Sequence, residues 1–328
     1  MSADLFNALR SGDRSALARA ITLVESTREE DTSAARELVR GCLPHAGGSR
    51  RIGITGIPGA GKSTLIDALG LLLIEQGHRV AVLAIDPSSA RSGGSILGDK
   101  TRMERLSQHP DAFIRPSPTG GTLGGVGRRT RETLVLCEAA GYDRVLIETV
   151  GIGQSELAVD RMTDLNVLLM IGGAGDELQG IKRGIMEAAD LIVLTKTDGD
   201  NAERNKRSAG DLRQAVQLLP AREHGGRPEV LLCSAVENKG MDELLVSLDK
   251  LGGTLEEQGH VALRRKDQDR WWMRATIEER LVSGFFNDPR VIAALPALEE
   301  AVMSGTRSPF DAADEILRLA RDQVRKRR

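Results

Sequence analysis

The segment that most limits the fold of this chain is the apolar run RIGIT, residues 51–55, followed without a break by GIPGAGKST, residues 56–64. The second string has the spacing G-x-x-x-x-G-K-[ST], and an apolar helical pattern continues from Lys62 to about Gln76. The glycines of the string allow the backbone to curl so that successive N–H groups point at phosphate oxygens. The N-terminus of the helix adds partial positive charge. The sequence therefore predicts a strand, a phosphate-binding loop and a helix, in that order.

A nucleoside triphosphate is the ligand that this loop is predicted to hold. Lys62 is expected to reach the β- and γ-phosphates, and the Ser63 hydroxyl is expected to ligate Mg²⁺. A glycine-rich turn without a ligand is the alternative, which the flanking strand and helix and the Lys-Ser pair disfavour. The residues predicted to bind the phosphates are Gly56, Ile57, Pro58, Gly59, Ala60, Gly61, Lys62, Ser63 and Thr64.

Short apolar runs alternate with helical stretches from residue 51 to about residue 251. The runs are RIGIT, RVAVLAID, AFIRP, RVLIE, NVLLMI, LIVLTK and VLLCS. They do not alternate between apolar and polar residues, so both faces of each strand are expected to be buried, as in parallel strands joined by crossover helices. The predicted fold class is α/β with a doubly wound, mostly parallel sheet. Helical patterns on either side predict three parts: an N-terminal helical extension (1–48), the α/β domain (49–252) and a C-terminal helical arm (253–328).

Two strand ends carry residues suited to a guanine base. Lys196 and Asp198, in VLTKTDGD, have the spacing K-x-D. A carboxylate there accepts from the ring N–H and the exocyclic amino group of guanine, which adenine lacks, so GTP is favoured over ATP. Ser234 and Ala235, in LLCSAVENKG, end the last strand, where a backbone N–H suits the guanine carbonyl. An ordinary strand-end turn is the alternative for K-x-D, and Thr195 stands where the pattern N-K-x-D has asparagine.

Acidic residues at strand ends predict a divalent cation beside the phosphates. Asp86 ends the second run and Glu148 ends another, and a carboxylate after an apolar strand near such a loop is the arrangement that binds Mg²⁺. Gly151, in ETVG, is placed to offer its N–H to the γ-phosphate. Asp99, in GGSILGDKTRM, is expected in a mobile loop before a helix. Helix capping is the alternative for the three acidic residues.

A third loop with many glycines, GGAGDELQGIKRG, runs from residue 172 to residue 184. Its apolar content is too low for a core element, so we expect a solvent-facing segment near the nucleotide that acts as a switch. The residues of this loop with predicted switch or partner roles are Asp176, Gln179 and Lys182.

Composition disfavours several other classes of protein. The formal charge is -2 and 2% of residues are aromatic, so no affinity for nucleic acid is expected. The three cysteines are widely spaced and the five histidines dispersed, which favours a reducing compartment and disfavours structural zinc. The sequence lacks a signal-peptide pattern and an apolar segment of membrane-spanning length. We therefore expect a cytoplasmic protein without a membrane partner.

The motifs together resemble one family. GIPGAGKST, AIDPSS, GGSILGDKTRM, ETVGIGQSE, GDELQGIKRGI and TKTDGD are similar to the MeaB (ArgK/MMAA-like) family of SIMIBI-class P-loop GTPases, and the similarity covers nearly the whole chain. ILGDKTRM and GDELQGIK are typical of that family rather than of P-loop proteins in general. The resemblance implies a homodimeric GTPase that serves as a chaperone for adenosylcobalamin-dependent methylmalonyl-CoA mutase, gating cofactor loading and protecting or reactivating the mutase.

The resemblance also implies roles for individual residues. Ser63, Asp86, Asp99 and Glu148 would surround Mg²⁺. Guanine would be bound by Lys196, Asp198, Ser234, Ala235 and Val236. The switch residues of the third loop would relay the nucleotide state to the mutase. The C-terminal helices would form a dimerisation arm that buries Trp271 and Trp272, for which packing on the α/β domain is the alternative.

Two other functions are weighed against the GTPase chaperone. A kinase acting on a small molecule would need an acceptor pocket and a catalytic base, which the sequence does not nominate beyond Asp86 and Asp99. A metal-inserting GTPase would need closely spaced cysteine or histidine ligands, and the dispersed residues disfavour it. No cobalamin is expected to bind through a histidine of this chain, because there is no D-x-H-x-x-G element. GTP hydrolysis by the chain alone is expected to be slow, since no arginine finger can be assigned, and it is expected to be faster with the mutase.

Overall fold

Seven parallel strands form one sheet in the order β3-β2-β4-β1-β5-β6-β7. The structure, a computed structural model, describes residues 3–85, 103–116, 123–149, 159–172, 183–199, 201–222 and 225–326. The strands are β1 (Arg50–Gly56), β2 (Val80–Ile85), β3 (Ala112–Arg115), β4 (Arg144–Thr149), β5 (Leu165–Ile171), β6 (Leu191–Thr195) and β7 (Glu229–Leu232). Every one of the seven apolar runs forms a strand, which confirms the predicted doubly wound sheet.

Burial explains why these runs form strands. All six residues of β2 and all five of β6 are buried, because the connections between parallel strands cover both faces of the sheet with helices. The edge strand β7 is less buried. The core on one face includes Ile54 of β1 and Leu69 of the helix that follows it.

The helices of the first part of the chain follow the predicted pattern. Their bounds are α1 (Ala3–Arg10), α2 (Arg14–Glu25), α3 (Glu29–Cys42), α4 (Lys62–Glu75), α5 (Glu104–Gln108), α6 (Leu123–Ala139), α7 (Arg183–Ala188), α8 (Asn201–Gln217), α9 (Met241–Glu257) and α10 (His260–Phe286), with a 3₁₀ turn at Leu43–His45. Asp13 caps α2 by accepting from the backbone N–H groups of Ser15 and Ala16. Leu17 and Ile21, four residues apart and so on one face of α2, are fully buried.

The N-terminal helices belong to the same compact body as the sheet. α2 packs against α3 and α6. The Arg10 guanidinium donates to the carbonyl oxygen of Ala139 at 2.5 Å. By contacts between residues the chain divides into two compact units, Met1–Asp269 and Arg270–Arg328. The three-part division at residues 48 and 252 remains a prediction.

The second unit is helical. After the end of α10 it contains α11 (Pro289–Met303) and α12 (Pro309–Lys326), which pack together. Asp288 caps α11, and the Ser308 hydroxyl accepts from the backbone N–H of Phe310 at the start of α12. The rings of Trp271 and Trp272 meet edge to face with centroids 4.7 Å apart. None of the helices in the described ranges combines the length and apolar character of a membrane span.

The strand order decides where a ligand can bind. β1 lies between β4 and β5, and the chain extends towards β2 and β3 on one side and towards β6 and β7 on the other. In open parallel sheets such a point of reversal leaves a crevice at the carboxyl ends of the strands. The loop after β1 therefore has the end of β4 on one side and the ends of β5, β6 and β7 on the other.

Candidate functional site

The loop between β1 and α4 has the backbone that the glycine-rich string predicts. Gly56 has φ 149°. A Cβ atom there would lie 2.4 Å from the carbonyl oxygen of Leu169 in β5, so a side chain is excluded by both conformation and space. Gly61 precedes the first residue of α4, and none of the described side chains caps that helix. The first backbone N–H groups of α4 are thus placed for an anion.

Lys62 is buried against this loop. Its ammonium group donates to the carbonyl oxygens of Gly56 at 2.8 Å and Ile57 at 3.1 Å. The side chain is therefore folded over the phosphate-binding loop rather than extended into solvent. This position is consistent with the predicted contact between the ammonium and the nucleotide phosphates.

Ser63 and Glu148 meet at the phosphate end of the site. The Ser63 hydroxyl donates to Glu148 Oε1 at 3.1 Å, and both residues are buried. Glu148 lies opposite Ile54 in the pairing of β1 and β4, which aligns the ends of the two strands. The Thr149 hydroxyl, next in β4, donates to the Thr55 hydroxyl at 3.0 Å. Two hard oxygen donors predicted for Mg²⁺ are thus adjacent.

Thr195 joins the end of β6 to the phosphate-binding loop. Its hydroxyl lies 2.6 Å from the carbonyl oxygen of Ala60 and 3.2 Å from that of Met170. A hydroxyl carries one proton and donates to one of them at a time. The threonine that departs from N-K-x-D therefore links the two predicted nucleotide-binding segments through one side chain.

The two segments predicted to bind the base are in contact. The Ser234 hydroxyl donates to Asp198 Oδ1 at 3.2 Å and orients the carboxylate. Backbone bonds between Ser234 and Lys239, at 2.9 and 3.0 Å, close the loop that carries Ala235 and Val236. Lys196 is exposed, with a left-handed backbone at φ 56°. Val236 is 79% exposed.

A thiol lies directly before the second of these segments. Cys233 donates its backbone N–H to the Leu194 carbonyl oxygen at 2.8 Å, and its own carbonyl oxygen accepts from Thr197 at 3.4 Å. Burial raises the pKa of the Cys233 thiol to about 12, so the side chain stays neutral. Its role at this position is packing.

Comparisons with known proteins identify the family. A family model described as methylmalonyl Co-A mutase-associated GTPase MeaB matches residues 17–290. The chain belongs to the MeaB family. It is 46% identical over 284 residues to GTPase ArgK of Escherichia coli, covering 87% of this chain and 86% of the relative. It is 46% identical over 324 residues to the mouse protein methylmalonic aciduria type A homolog, mitochondrial, covering 96% of this chain and 78% of the relative.

A solved structure agrees with this assignment. The crystal structure of a LAO/AO transport system kinase is 37% identical, with a TM-score of 0.75 and coverage of 97% of both chains. This MeaB-family chain is therefore a P-loop GTPase that binds GTP and GDP and hydrolyses GTP. The resemblance predicted from the sequence motifs is confirmed.

Several predicted site residues of this MeaB-family chain lie outside the described residues. They are Asp86, Asp99, Gly151, Asp176, Gln179 and Lys182. Asp86 directly follows Ile85, the last residue of β2, which pairs with Thr149 of β4. Within the described ranges, histidine, cysteine and acidic side chains form no group of three that could hold a metal ion. The roles of the six residues stay predictions.

Asn205, in α8, is a residue of the site that the sequence motifs do not include. Its side-chain nitrogen donates to the carbonyl oxygens of Thr195 at 3.2 Å and Lys196 at 3.0 Å. The residue lies in the polar string NAERNKRS, where an asparagine on a helix gives no signal of burial. Only the hydrogen bonds from α8 to the end of β6 and the residue after it identify Asn205.

Proposed function

We propose that this GTPase is a chaperone of adenosylcobalamin-dependent methylmalonyl-CoA mutase. Its nucleotide state gates loading of the cofactor and protects or reactivates the mutase. The observation that carries the proposal is the match of residues 17–290 to a family described as mutase-associated. The name of the mouse relative, which refers to methylmalonic aciduria, supports the same metabolic setting.

The proposed nucleotide site uses both sides of the loop after β1. The residues of positions 56–64 bind the phosphates, and the Lys62 ammonium stabilises negative charge on the β- and γ-phosphates. Asp198 accepts hydrogen bonds from guanine, the Lys196 stem covers the base, and a backbone N–H of residues 234–236 meets the guanine carbonyl. The bond between Ser234 and Asp198 supports this assignment because it fixes the orientation of the accepting carboxylate.

A magnesium ion fits the donors at the phosphate end. Ser63 Oγ and Glu148 Oε1 are hard oxygen atoms 3.1 Å apart, the ligand type that Mg²⁺ prefers. We propose that these two residues hold the ion together with Asp86 and Asp99. When bound, Mg²⁺ neutralises charge on the β- and γ-phosphate oxygens. The Gly151 N–H then meets the γ-phosphate, and Glu148 fixes the Ser63 hydroxyl.

Coupling to the mutase is proposed to act through the third loop, at Asp176, Gln179 and Lys182. The sequence assigns no arginine finger, and the nearest glutamine after Gly151 is Gln154, three residues on. Hydrolysis by the chain alone is therefore proposed to be slow and to accelerate when the mutase orders the switch segments.

A homodimer in the cytoplasm is the proposed assembly and location. Met273, Ile277 and Leu281 follow one another at intervals of four on α10, so they lie on one face of that helix. They are 57%, 50% and 68% exposed. An apolar face of this kind supports dimerisation through the C-terminal arm. Light scattering of the purified chain measures the mass directly.

Single-turnover hydrolysis of GTP with increasing mutase tests the function. We expect the rate constant to rise on the order of tenfold with mutase and to stay unchanged with an unrelated protein. The Lys62→Ala variant is the matched control, because it keeps the partner-facing segments and loses the phosphate contact. Two results together contradict the proposal: a hydrolysis rate that mutase leaves unchanged, and a complex with mutase that forms equally well with GDP, GTP and a non-hydrolysable analogue.

A kinase function is tested in the same assay, because the similar crystal structure is described as a transport system kinase. Labelled GTP is followed into phosphorylated small-molecule products. Label in a small molecule rather than in inorganic phosphate would replace the chaperone proposal by phosphoryl transfer.

A further inference from the structure

Asn205 is buried against the first of the two base-binding segments, with 1% of its surface exposed. We propose that Asn205 is a positioning residue for guanine: its side-chain amide holds the backbone of Lys196 in the conformation that presents Lys196 and Asp198 to the base. The inference rests on the proposed guanine site, and it adds a specificity-determining residue that lies outside both base-binding motifs.

The conformation of Lys196 is the first step of the argument. Its φ of 56° is left-handed, a region that residues with a side chain rarely adopt. Such conformations persist where the surrounding structure imposes them, and they concentrate at functional sites. Lys196 occupies the first position of K-x-D, so this backbone sets the direction in which the chain leaves β6 towards Asp198.

The hydrogen bonds of Asn205 act on both sides of that residue. The Thr195 carbonyl belongs to the peptide unit before Lys196, and the Lys196 carbonyl belongs to the unit after it. Asn205 Nδ2 donates to both, at 3.2 Å and 3.0 Å. Because the orientations of these two peptide units define φ and ψ of Lys196, one amide group fixes both dihedral angles.

Thr195 cannot do this by itself. The side-chain amide of an asparagine has two N–H groups, whereas a threonine hydroxyl has one proton. The Thr195 hydroxyl faces the carbonyl oxygens of Ala60 and Met170, away from its own loop backbone. An amide from α8 therefore supplies the donors that hold the loop.

Gly172, at the end of β5, provides the space for this amide. A Cβ atom at position 172 would lie 1.7 Å from Asn205 Oδ1 and 2.7 Å from Asn205 Cγ. Oδ1 has no hydrogen-bond donor among the described residues. The Asn205 side chain is therefore held by its two bonds to the loop. It fits in this position because Gly172 has no side chain.

Asn166 offers a matched control at the opposite end of the same sheet. It is also a buried asparagine, its Nδ2 donates to Asp160 Oδ1 at 2.7 Å and to the Ala188 carbonyl oxygen at 3.2 Å, and a Cβ at Gly53 would lie 2.6 Å from its Oδ1. Unlike Asn205 Oδ1, Asn166 Oδ1 accepts a hydrogen bond, from the Thr163 hydroxyl at 2.7 Å. Of the two asparagines, only Asn205 bonds to a predicted nucleotide-binding loop.

The test measures the affinities of the full chain for GDP, inosine diphosphate and inorganic triphosphate. Inosine diphosphate lacks the exocyclic amino group that Asp198 is proposed to bind. We expect Asn205→Ala to weaken GDP binding about tenfold, the loss of two net hydrogen bonds, and to reduce the preference for GDP over inosine diphosphate. Triphosphate affinity is expected to stay unchanged. Asn205→Asp keeps the shape but places a carboxylate against two carbonyl oxygens, so its effect is expected to be at least as large.

Asn166→Ala is expected to lower the Tm without changing either GDP affinity or base preference. Gly172→Ala keeps the amide but displaces it, so it is expected to reproduce the loss of base preference. Its effect and that of Asn205→Ala are not additive, because removing the amide removes the principal clash; the Asn205 Cα, 3.0 Å from the new Cβ, remains.

The outcomes separate this inference from the proposed function. Asn205→Ala with a lowered Tm but unchanged GDP affinity and base preference makes the residue merely structural and overturns the inference. If the Asn205 variants do not fold, Gly172→Ala decides: an unchanged base preference overturns the inference, and a reduced one supports it. Wild-type protein that binds GDP no more tightly than inosine diphosphate and ADP instead overturns the guanine site itself.

Discussion

At the amino-terminal edge of the sheet, Arg51 of β1 and Glu138 of α6 form a buried ion pair, with the guanidinium donating to both carboxylate oxygens at 2.8 and 3.0 Å. Ser49 and the backbone of Gly47 donate to the same carboxylate. Asp164, before β5, is bonded to the Arg265 guanidinium through both oxygens, at 2.8 and 2.7 Å. Both of these carboxylates are paired with guanidinium groups.

The carboxyl-terminal edge of the same sheet is built from other groups. Gly56 and Lys196 have positive φ angles, and Thr195 and Asn205 donate to loop carbonyl oxygens. Glu148 accepts from the neutral Ser63 hydroxyl.

The difference indicates which edge serves stability and which serves binding. A bidentate ion pair satisfies its own charges and positions strands, whereas a residue with a side chain held at positive φ, such as Lys196, is a feature of ligand sites. Buried residues occur at both edges, among them Glu138 at one and Glu148 at the other, so burial alone does not distinguish the edges. Variants at matched positions on the two edges distinguish a role in stability from a role in binding.

The largest expected effect on stability is at the amino-terminal edge. Glu138→Ala leaves Arg51 buried without its carboxylate, and the free energy of unfolding is expected to fall by about 3–5 kcal/mol. Nucleotide affinity of the folded protein is expected to stay the same. Denaturant titration and GDP binding measure the two quantities. The control is Glu203→Ala, which removes an exposed partner of Lys206. It is expected to change neither the free energy of unfolding nor the GDP affinity. Weakened GDP binding in Glu138→Ala would remove the contrast between the edges.

The same ion pair gives a pH dependence. Burial favours the neutral form of Glu138, but bonds from Arg51, the Arg51 charge, Ser49 and Gly47 outweigh it and hold the pKa below 4.5. A group with a lowered folded pKa contributes stability above its unfolded value and loses that contribution as the pH falls through the folded pKa. Thermal unfolding below pH 4.5 is therefore expected to show a steeper loss of stability in the wild type than in Glu138→Gln. Equal slopes would exclude Glu138 as a source of the acid sensitivity.

At the carboxyl-terminal edge, two glycines of one loop distinguish the cost of a steric clash from the cost of a positive φ angle. Gly56→Ala is expected to lower the free energy of unfolding by about 3 kcal/mol, because the new methyl group meets the Leu169 carbonyl. Gly59→Ala is expected to cost about 1–2 kcal/mol, since its φ is 79° but nothing lies within 4 Å of its Cβ. Unfolding is measured without nucleotide. Equal losses in the two variants would mean that the close approach to β5 is unimportant.

A smaller effect is expected from a single hydroxyl. Thr195→Val removes the bond to the phosphate-binding loop, and GDP affinity is expected to fall about fivefold. Thr163→Val is the control at the other edge: that hydroxyl also faces two acceptors, the Val159 carbonyl oxygen at 2.9 Å and Asn166 Oδ1 at 2.7 Å. Both variants are expected to lose similar stability in thermal unfolding, and only Thr195→Val to lose affinity. The same affinity loss in both would point to a general effect of destabilisation.

Much of the fold followed from local pattern. Buried parallel strands need apolar residues on both faces, so runs such as RVAVLAID and LIVLTK identified β2 and β6 directly. Lys62, Ser63 and Glu148 could be predicted as site residues because each follows a strand and has the ammonium, hydroxyl or carboxylate group that phosphate or Mg²⁺ binding needs. Asn205 was not, because its role depends on the approach of a helix to a loop ten residues earlier, which no spacing in the sequence encodes.

The sequence by itself determined the seven strands, the phosphate-binding loop and the family, because each depends on residues that are neighbours in the chain. The tertiary structure decided which strand ends meet. The pairing of β1 with β4 and β5 brings Glu148 to Ser63, and the places of β6 and β7 bring Thr195 to Ala60 and Ser234 to Asp198. These contacts join residues far apart in sequence, and strand order follows from packing of the whole sheet rather than from any local pattern.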